Sequence, residues 1–488
     1  MSRRSLRTAV IALSLLAATP AAAGPGDHIR VGDAEIIPSV RTAFDFHSNV
    51  YQGNSAEAAD TNGDGIPDGE DNVVAAPFWS IRPAAEIKLE GPWIVLSFTG
   101  GYGVRVYIDT APKDSFKVGQ LNRYNDFDFA LNTQILPNRP VGFKISDRFD
   151  VQNTPTTLHG DGVESANVNV VHIGNDLDGG LVLRPGSALD IGVLGTFSFD
   201  TYRLPKEYQD AYPELLRSEA LGSLNDRLNF GPILNGTWRF LPKTSLVGGA
   251  SVNWIRWSEN LIPEWAGGAD GNVGEVIAKP DGLAWRTQWG VKGQVSARLA
   301  VAGEVGFGQI YYDEQSVLDY NALLDSSLAA SDFDLELRGE ENYARDLKSF
   351  KEGLLLNVAA TYTPVRGQTI TLAYRKDFQD VLFSNYSAFN AVTLRYDGKF
   401  WERLVVGAEY AMRLDRYHGE ISRGDVSHRV KADAAWLFTR YLSASIGGGW
   451  NARYCADAGC VDPNNPMVTY TQTQYDDLWG QVGLTFTY

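Results

Sequence analysis

An acidic loop between Asp60 and Asn72 has the residue types and spacing that could bind a hard cation. Counted from Asp60, oxygen-bearing side chains stand at positions 1, 3, 5, 9 and 12, with a glycine at position 6. Such a loop can wrap around an ion that takes about six to eight oxygen ligands, and the glycine permits the sharp turn. The predicted calcium ligands are Asp60, Asn62, Asp64, Ile66 through its main-chain carbonyl, Asp68 and Asp71. An acidic, glycine-rich turn without a metal is the alternative.

This stretch, residues 60–72, resembles a thrombospondin type-3 repeat or an EF-hand calcium loop. Asp71 stands where an EF-hand carries a longer, bidentate glutamate, and the cysteine that follows in many thrombospondin repeats is missing. The resemblance covers this loop only. It implies a structural calcium ion in an exposed loop.

The two cysteines of the chain, Cys455 and Cys460, are separated by four residues. A close pair in an oxidising compartment predicts a small disulfide. Metal binding by the pair is the alternative, although no histidine lies beside it.

The sequence shows no constellation that supports catalysis. It has no Gly-x-Ser-x-Gly motif, no serine and histidine pair in a supporting context and no glycine-rich loop of the kind that cradles phosphate. The six histidines are scattered, at His28, His47, His159, His172, His418 and His428. We therefore predict no catalytic residues and a protein that is not an enzyme.

The first 23 residues have the pattern of a secretory signal peptide. Arg3, Arg4 and Arg7 precede an apolar stretch, and small residues lead to a predicted cleavage site near Ala23. Removing three arginines and no acidic residue changes the formal net charge from −16 to −19. This acidic balance argues against a nucleic-acid partner.

The rest of the chain alternates apolar and polar residues in segments that are typical of half-buried strands. No run of about 18 apolar residues could cross a bilayer as a helix. The last strand alternates in the same way and ends on Phe486 and Tyr488, which resembles the signal that barrel-assembly machinery recognises. We therefore predict an all-β fold, an antiparallel transmembrane barrel in the bacterial outer membrane over residues 36–488, after a periplasmic segment at 24–35.

The connections alternate between short and long, which predicts the strand number and the orientation. Short turns are predicted at 90–92, 137–140, 184–187, 241–244, 297–300, 364–368, 397–399 and 439–440. Eight short turns and nine long loops give about 18 strands, with both termini on the periplasmic side. The extracellular loops include 203–225, 260–280, 314–349 and 454–474. Residues 207–224 and 315–349 either fold into the mouth of the barrel or stay on its surface. The stretch 166–183 breaks the alternation around His172, which predicts a β-bulge.

Strand parity directs charged residues of both signs toward the barrel lumen. The predicted lumen-lining residues are Arg82, Glu86, Arg105, Asp126, Asp128, Arg148, Arg239, Arg286, Lys292, Arg375, Arg395, Glu409, Arg413, Arg429 and Lys431. Such a wall can hold water and steer anionic or polar solutes. Alternatively, the charges pair with one another and brace the barrel.

The opening strands resemble a family of β-barrel porins that includes outer-membrane proteins encoded with exopolysaccharide synthesis and export loci. The resemblance lies in Ile37–Arg41, in Phe44–Tyr51 with its Ser-Asn-Val-Tyr element, and in Ser80–Pro83 with its hydrophobic-x-Pro element. It covers roughly the first 120 mature residues, and the calcium-like insertion departs from it. It implies a barrel in outer-membrane lipid that works with a periplasmic polysaccharide-export lipoprotein and a polysaccharide.

Three functions are compatible with these patterns. The leading hypothesis is an outer-membrane translocation channel for a secreted exopolysaccharide. The alternatives are a general or substrate-selective diffusion porin for small polar solutes, and a closed surface barrel with a structural or adhesive role.

Overall fold

Long antiparallel strands make up nearly all of the structure, which is a computed structural model. It describes residues 28–49, 75–108, 123–154, 170–203, 226–257, 260–261, 276–277, 281–312, 346–381, 384–418, 424–455 and 475–488. Among these residues, no helix is long and apolar enough to span a membrane.

The described residues form strands β1 to β21 and one short helix, α1. Their bounds are β1 Ile29–Val31, β2 Ala34–His47, β3 Ala76–Glu90, β4 Ile94–Tyr107, β5 Arg123–Ile135, β6 Val141–Thr154, β7 Val170–Leu183, β8 Leu189–Arg203, β9 Arg227–Leu241, β10 Thr244–Trp257, β11 Asn260–Leu261, β12 Val276–Ile277, β13 Gly282–Gln294, β14 Leu299–Tyr312, α1 Phe350–Gly353, β15 Leu354–Tyr362, β16 Gln368–Val381, β17 Ser384–Phe400, β18 Leu404–His418, β19 Gly424–Leu437, β20 Leu442–Cys455 and β21 Tyr475–Thr487.

Eighteen of these strands close into one antiparallel barrel. Strands β2 to β10 and β13 to β21 each pair with the next, and β2 pairs with β21 from Ser39 opposite Thr487 to His47 opposite Trp479. The predicted fold class and strand number are therefore confirmed. Strand β1 folds back on the start of β2, within the residues 24–35 that we expected to precede the barrel. Strands β11 and β12 form a separate small hairpin.

The two faces of the barrel wall differ sharply in chemistry. On β9, Leu234 and Trp238 are each 51% exposed on the outer face, while Asn235 and Arg239 alternate with them on the inner face. The same division recurs around the wall, with Trp289 exposed outward and Lys292 inward on β13. Because closure pairs every strand edge, an apolar outer face of this kind suits a bilayer.

Eight short connections lie at one end of the barrel, where β2 begins and β21 ends; we call this the short-turn end and the opposite one the long-loop end. The prediction of nine long loops is wrong at the long-loop end, where only residues 382–383 separate β16 from β17 and only 419–423 separate β18 from β19. Two turns were predicted at the wrong positions. The turn predicted at 297–300 spans residues 295–298, where the Ser296 hydroxyl oxygen accepts hydrogen bonds from the amides of Arg298 and Leu299.

The second wrong turn was predicted at Asp397–Lys399, on the strength of its Asp-Gly pair. These residues belong to β17, and the chain turns at 401–403, where Trp401 and Glu402 take positive φ angles of 48° and 59°. A Cβ at Gly398 would lie 2.6 Å from the Tyr396 hydroxyl, so this glycine makes room for a neighbouring ring within the strand.

The prediction of a bulge within 166–183 is also wrong for residues 170–183, the part of this stretch that the structure describes. Strand β7 keeps one continuous register with β6 and with β8. The alternation breaks because Asn175, a polar residue, stands on the outer face between Ile173 and Leu177.

Candidate functional site

The charged inner wall of the barrel is the candidate functional site. The structure places every predicted lumen residue on the inner face, opposite the exposed apolar one: Arg82, Glu86, Arg105, Asp126, Asp128, Arg148, Arg239, Arg286, Lys292, Arg375, Arg395, Glu409, Arg413, Arg429 and Lys431. The alternating side chains of an antiparallel strand bring them onto one surface.

Some of these side chains pair across an intervening strand. The Arg82 guanidinium donates to Asp128 at 2.5 Å, although β4 separates their strands. Gly101 of β4 lies beneath this bridge, and a Cβ there would be 2.7 Å from Arg82 Nη2. A glycine at this point therefore lets the arginine lie flat against the wall.

A second bridge of this type spans β13 to β16. Arg286 donates to the Asp377 carboxylate at 3.3 Å and to the main-chain oxygen of Phe378 at 2.7 Å. It passes Gly308 of β14, where a Cβ would be 2.8 Å from the Phe378 ring. Arg375 also donates to Asp377, so one nearly buried carboxylate holds two arginines.

Ion pairs continue along β17 to β20. Arg413 donates to Asp415 at 2.7 Å, and Arg429 donates to Glu409 at 2.6 Å. Arg453, which is 4% exposed, pairs with the buried Asp425. This sector of the wall is thus braced by paired charges.

His172 forms the centre of a network that sequence reasoning did not identify. Its ring nitrogens lie 3.0 Å from Asp200 and 3.5 Å from Asp150, and Arg227 donates to Asp200 at 2.7 Å. Strand parity could have located this network from the sequence. Inward positions of neighbouring strands hold all four residues: His172, Asp150, Asp200 and Arg227.

Acidic residues outnumber basic ones on the inner face of β5 to β8. This sector contains Asp126, Asp128, Asp150, Asp176, Asp178, Asp190 and Asp200 but only Lys144 and Arg148 as lysine or arginine. Within the described residues, Asp176 and Asp178 make no ion pair. The unpaired carboxylates of the sector are Asp176 and Asp178, because the others pair with His172 or with arginines of the flanking strands: Asp126, Asp128, Asp150, Asp190 and Asp200.

A recess of about 340 Å³ opens in the inner wall on β9, β10, β13 and β14. Its polar lining consists of Asn235, Thr237, Ser251, Arg286, Gln288, Lys292 and Glu304. Both cations in the recess pair with carboxylates, since Lys292 lies 3.1 Å from Glu304 and Arg286 shares Asp377 with Arg375. The recess thus offers hydrogen-bond donors and acceptors beside paired charges.

Other predicted site residues lie outside the described part of the chain. These are the calcium ligands Asp60, Asn62, Asp64, Ile66, Asp68 and Asp71, and Cys460. Cys455 is the last residue of β20. Because Cys460 lies outside the described residues, the disulfide stays a prediction. The predicted mouth loop 207–224 and most of 315–349 are also outside.

No protein-family model matches the chain, and no curated protein matches its sequence. Among solved structures, OccAB3 of Acinetobacter baumannii is 9% identical over 94% of this chain and all of its own, with a TM-score of 0.40. OpdK of Pseudomonas aeruginosa, solved with vanillate, is 10% identical over the same shares, with a TM-score of 0.42.

The FrpB iron transporter of Neisseria meningitidis is 7% identical, with a TM-score of 0.46. The match covers 92% of this chain and 81% of FrpB. These likenesses are too weak to assign an activity to this chain.

Proposed function

We propose that this barrel is a diffusion channel for small, hydroxyl-rich solutes across the bacterial outer membrane. The observation that carries the proposal is the polar recess on the inner wall, formed by residues such as Asn235, Ser251 and Gln288. Its size suits one small molecule, and its balanced donors and acceptors suit a neutral polyol or sugar. The predicted signal peptide at 1–23 supports export from the cytoplasm.

The composition of the inner wall supports a solute channel. An 18-stranded barrel is wide enough to leave an aqueous space unless loops fill it. Its inner face is lined by charged, amide and hydroxyl groups, which keep such a space wet. The orientation follows the usual arrangement of outer-membrane barrels, with the short-turn end in the periplasm.

The inner-wall aromatic rings favour small solutes over a sliding polymer. A polysaccharide would use exposed ring faces as repeated weak contacts, whereas several inward aromatics are buried: Phe78, Tyr107, Trp257, Tyr312, Phe389 and Tyr417. The exopolysaccharide channel that the porin-family resemblance implies, with its export lipoprotein, stays a prediction.

Planar-bilayer recording of the purified, refolded protein tests the proposal. We expect stepwise conductance in potassium chloride, with added glucose increasing the current noise as it enters and leaves the recess. Ser251→Phe should fill the recess and abolish the glucose-dependent noise. Lys88→Ala, which removes a different inner-wall ion pair with Glu86, should leave that noise unchanged.

Two results would overturn the proposal. A barrel that folds but passes no current would favour the closed surface barrel instead. Conductance without any response to glucose, unchanged in Ser251→Phe, would remove the recess as a solute site.

A further inference from the structure

The short turn α1 projects from the outer face of the barrel wall, next to the start of β15. Leu354 lies opposite Phe307 of β14. Ile310 lies opposite Leu347, so the chain that carries α1 takes seven residues to cover the same distance as three of β14. The four extra residues are those of α1. The Phe350 ring stacks on the outward Phe307 ring at 5.4 Å and is itself 71% exposed, which places the turn outside the wall.

Contacts to the strands on both sides hold this turn against the barrel. The Lys376 ammonium of β16 donates to the main-chain oxygen of Lys351 at 2.6 Å. The Tyr386 hydroxyl of β17 donates to Glu352 at 2.9 Å. A Cβ at Gly353 would be 2.8 Å from an aromatic ring of β14, so a glycine lets the turn lie close to that strand. The turn is therefore a fixed part of the outer surface.

Three cations on and beside the turn have no counter-charge. Lys351 is exposed, and Lys376 is half-buried at an outward position of β16. Arg416 is exposed at an outward position of β18. None of the three makes an ion pair within the described residues. Their charges are therefore available to a ligand.

The carboxylates near these cations have other partners or are buried. Glu352 accepts the tyrosine hydroxyl of β17 and lies 3.3 Å from His418. Asp346 lies 2.6 Å from Lys348. Asp380 is 7% exposed, so it does not reach the surface. This part of the outer face therefore carries excess positive charge.

The turn lies at the level where an outer-membrane barrel meets lipid headgroups. Phe307 and Ile310, which bracket the turn, are 8 and 11 residues from Leu299 at the short-turn end of β14. A tilted strand climbs roughly 2.5 Å per residue, so the turn is about 20–28 Å above that end. The apolar band of such a barrel is about 25 Å tall and therefore ends near the turn. Below it, Val358 and Leu372 are 48% and 51% exposed on the lipid-facing wall.

Charge complementarity and the apolar surface together match a lipid with a phosphate headgroup. Ammonium and guanidinium groups at headgroup level bind phosphate oxygens. An exposed aromatic ring at the same level contacts the upper part of the acyl chains. A free phosphate ion would meet the cations but would leave the Phe350 ring and the wall below it without a partner. The surface therefore fits a lipid better than a soluble anion.

We propose that α1 and the neighbouring outer face of β15 to β18 bind a phosphate-bearing lipid of the outer leaflet. Lys351, Lys376 and Arg416 hold the phosphate, and the acyl chains lie along Phe350 and the apolar wall below it. The proposal rests on the orientation with the long-loop end outside. It is independent of what passes through the lumen.

Native mass spectrometry of the refolded protein in detergent tests the site with lipid A, a phosphorylated glycolipid, as the probe. We expect the natural chain to retain lipid A, and Lys351→Ala and Lys376→Ala each to weaken binding about fivefold. Dephosphorylated lipid A, which keeps the acyl chains, should bind much more weakly. Millimolar inorganic phosphate should not displace lipid A.

Arg30→Ala is the control, because it removes an exposed cation at the short-turn end of the barrel. It should bind lipid A as the natural chain does. Equal binding by the natural chain and the variant with both lysines replaced would overturn the proposal. Full displacement of lipid A by inorganic phosphate would also overturn it, in favour of a soluble anion.

A single substitution keeps the proposal testable if the double variant does not fold. The Lys351 ammonium is exposed and has no partner among the described residues, so changing it should leave folding intact. Lipid A should raise the thermal unfolding temperature of the natural chain and of Lys351→Arg, whereas Lys351→Glu should lose most of this shift. A shift in Lys351→Glu as large as in the natural chain would refute the site.

Discussion

The Arg82 guanidinium on β3 lies 2.5 Å from the Asp128 carboxylate on β5, with the backbone of Gly101 on β4 between them. The bridge ties three strands together on the inner face of the wall. It exists because one residue on the central strand has no side chain.

Gly101→Ala should destabilise the barrel by no more than about 1 kcal/mol, because the added methyl group displaces only the flexible end of the Arg82 side chain, whose ion pair with Asp128 is 40% exposed. Gly103→Ala is the matched control on the same face of β4, since its nearest neighbour, Asp126 Oδ2, would be 3.5 Å away. Urea unfolding followed by tryptophan fluorescence measures both. Equal stability of the two variants would contradict a special role for Gly101.

Asp377→Asn should cost about 3–5 kcal/mol, because it leaves Arg286 and Arg375 without their shared, nearly buried counter-charge. Asp397→Asn removes an exposed partner of Arg395 and should cost less than about 1 kcal/mol. The same unfolding measurement compares them. A similar loss in both variants would show that burial does not decide the strength of these pairs.

Replacing Asp176 and Asp178 together by asparagine should shift the selectivity of the channel toward anions. These carboxylates belong to the acidic sector of β5 to β8 and make no ion pair within the described residues, so their charge acts on the lumen. The reversal potential in a potassium chloride gradient reports the change. Glu86→Gln, at a carboxylate already paired with Lys88, should shift it less. An unchanged reversal potential in the double variant would refute the assignment.

Calcium should bind the loop at 60–72 with a measurable heat in calorimetric titration of the refolded protein. Extracellular calcium modules bind at roughly 0.1–1 mM, so the titration needs millimolar calcium. Asp64→Ala should abolish the heat, because position 5 of the loop supplies a side-chain oxygen. A natural chain without any binding heat would exclude the site.

The sequence was sufficient to predict the barrel, because its signals are local. Alternation of apolar and polar residues defines the two faces of a strand, and the alternating lengths of the connections define the strand number. These signals are weaker at individual turns. The Asp-Gly pair at 397–398 indicated a turn, yet Gly398 lies inside β17, where the Tyr396 side chain occupies the space that a Cβ would need.

Strand parity alone also assigned the predicted charged residues to the inner face, but it did not identify His172, around which a break in the alternation was predicted. The same parity places Asp147 and Asn175 outward. The sequence predicts a bulge within 166–183, since a polar residue such as Asn175 on a lipid-facing surface and an inserted residue disturb the alternation alike.

Only the tertiary structure decided which charges meet. Arg286 and Asp377 are 91 residues apart and are joined across two intervening strands, past Gly308. Their contact depends on how far each strand is shifted along its neighbours. These shifts add up from strand to strand around the barrel, and no local sequence pattern reveals them. Periodicity tells which way a side chain points, whereas the stagger around the closed barrel sets which other side chain it reaches.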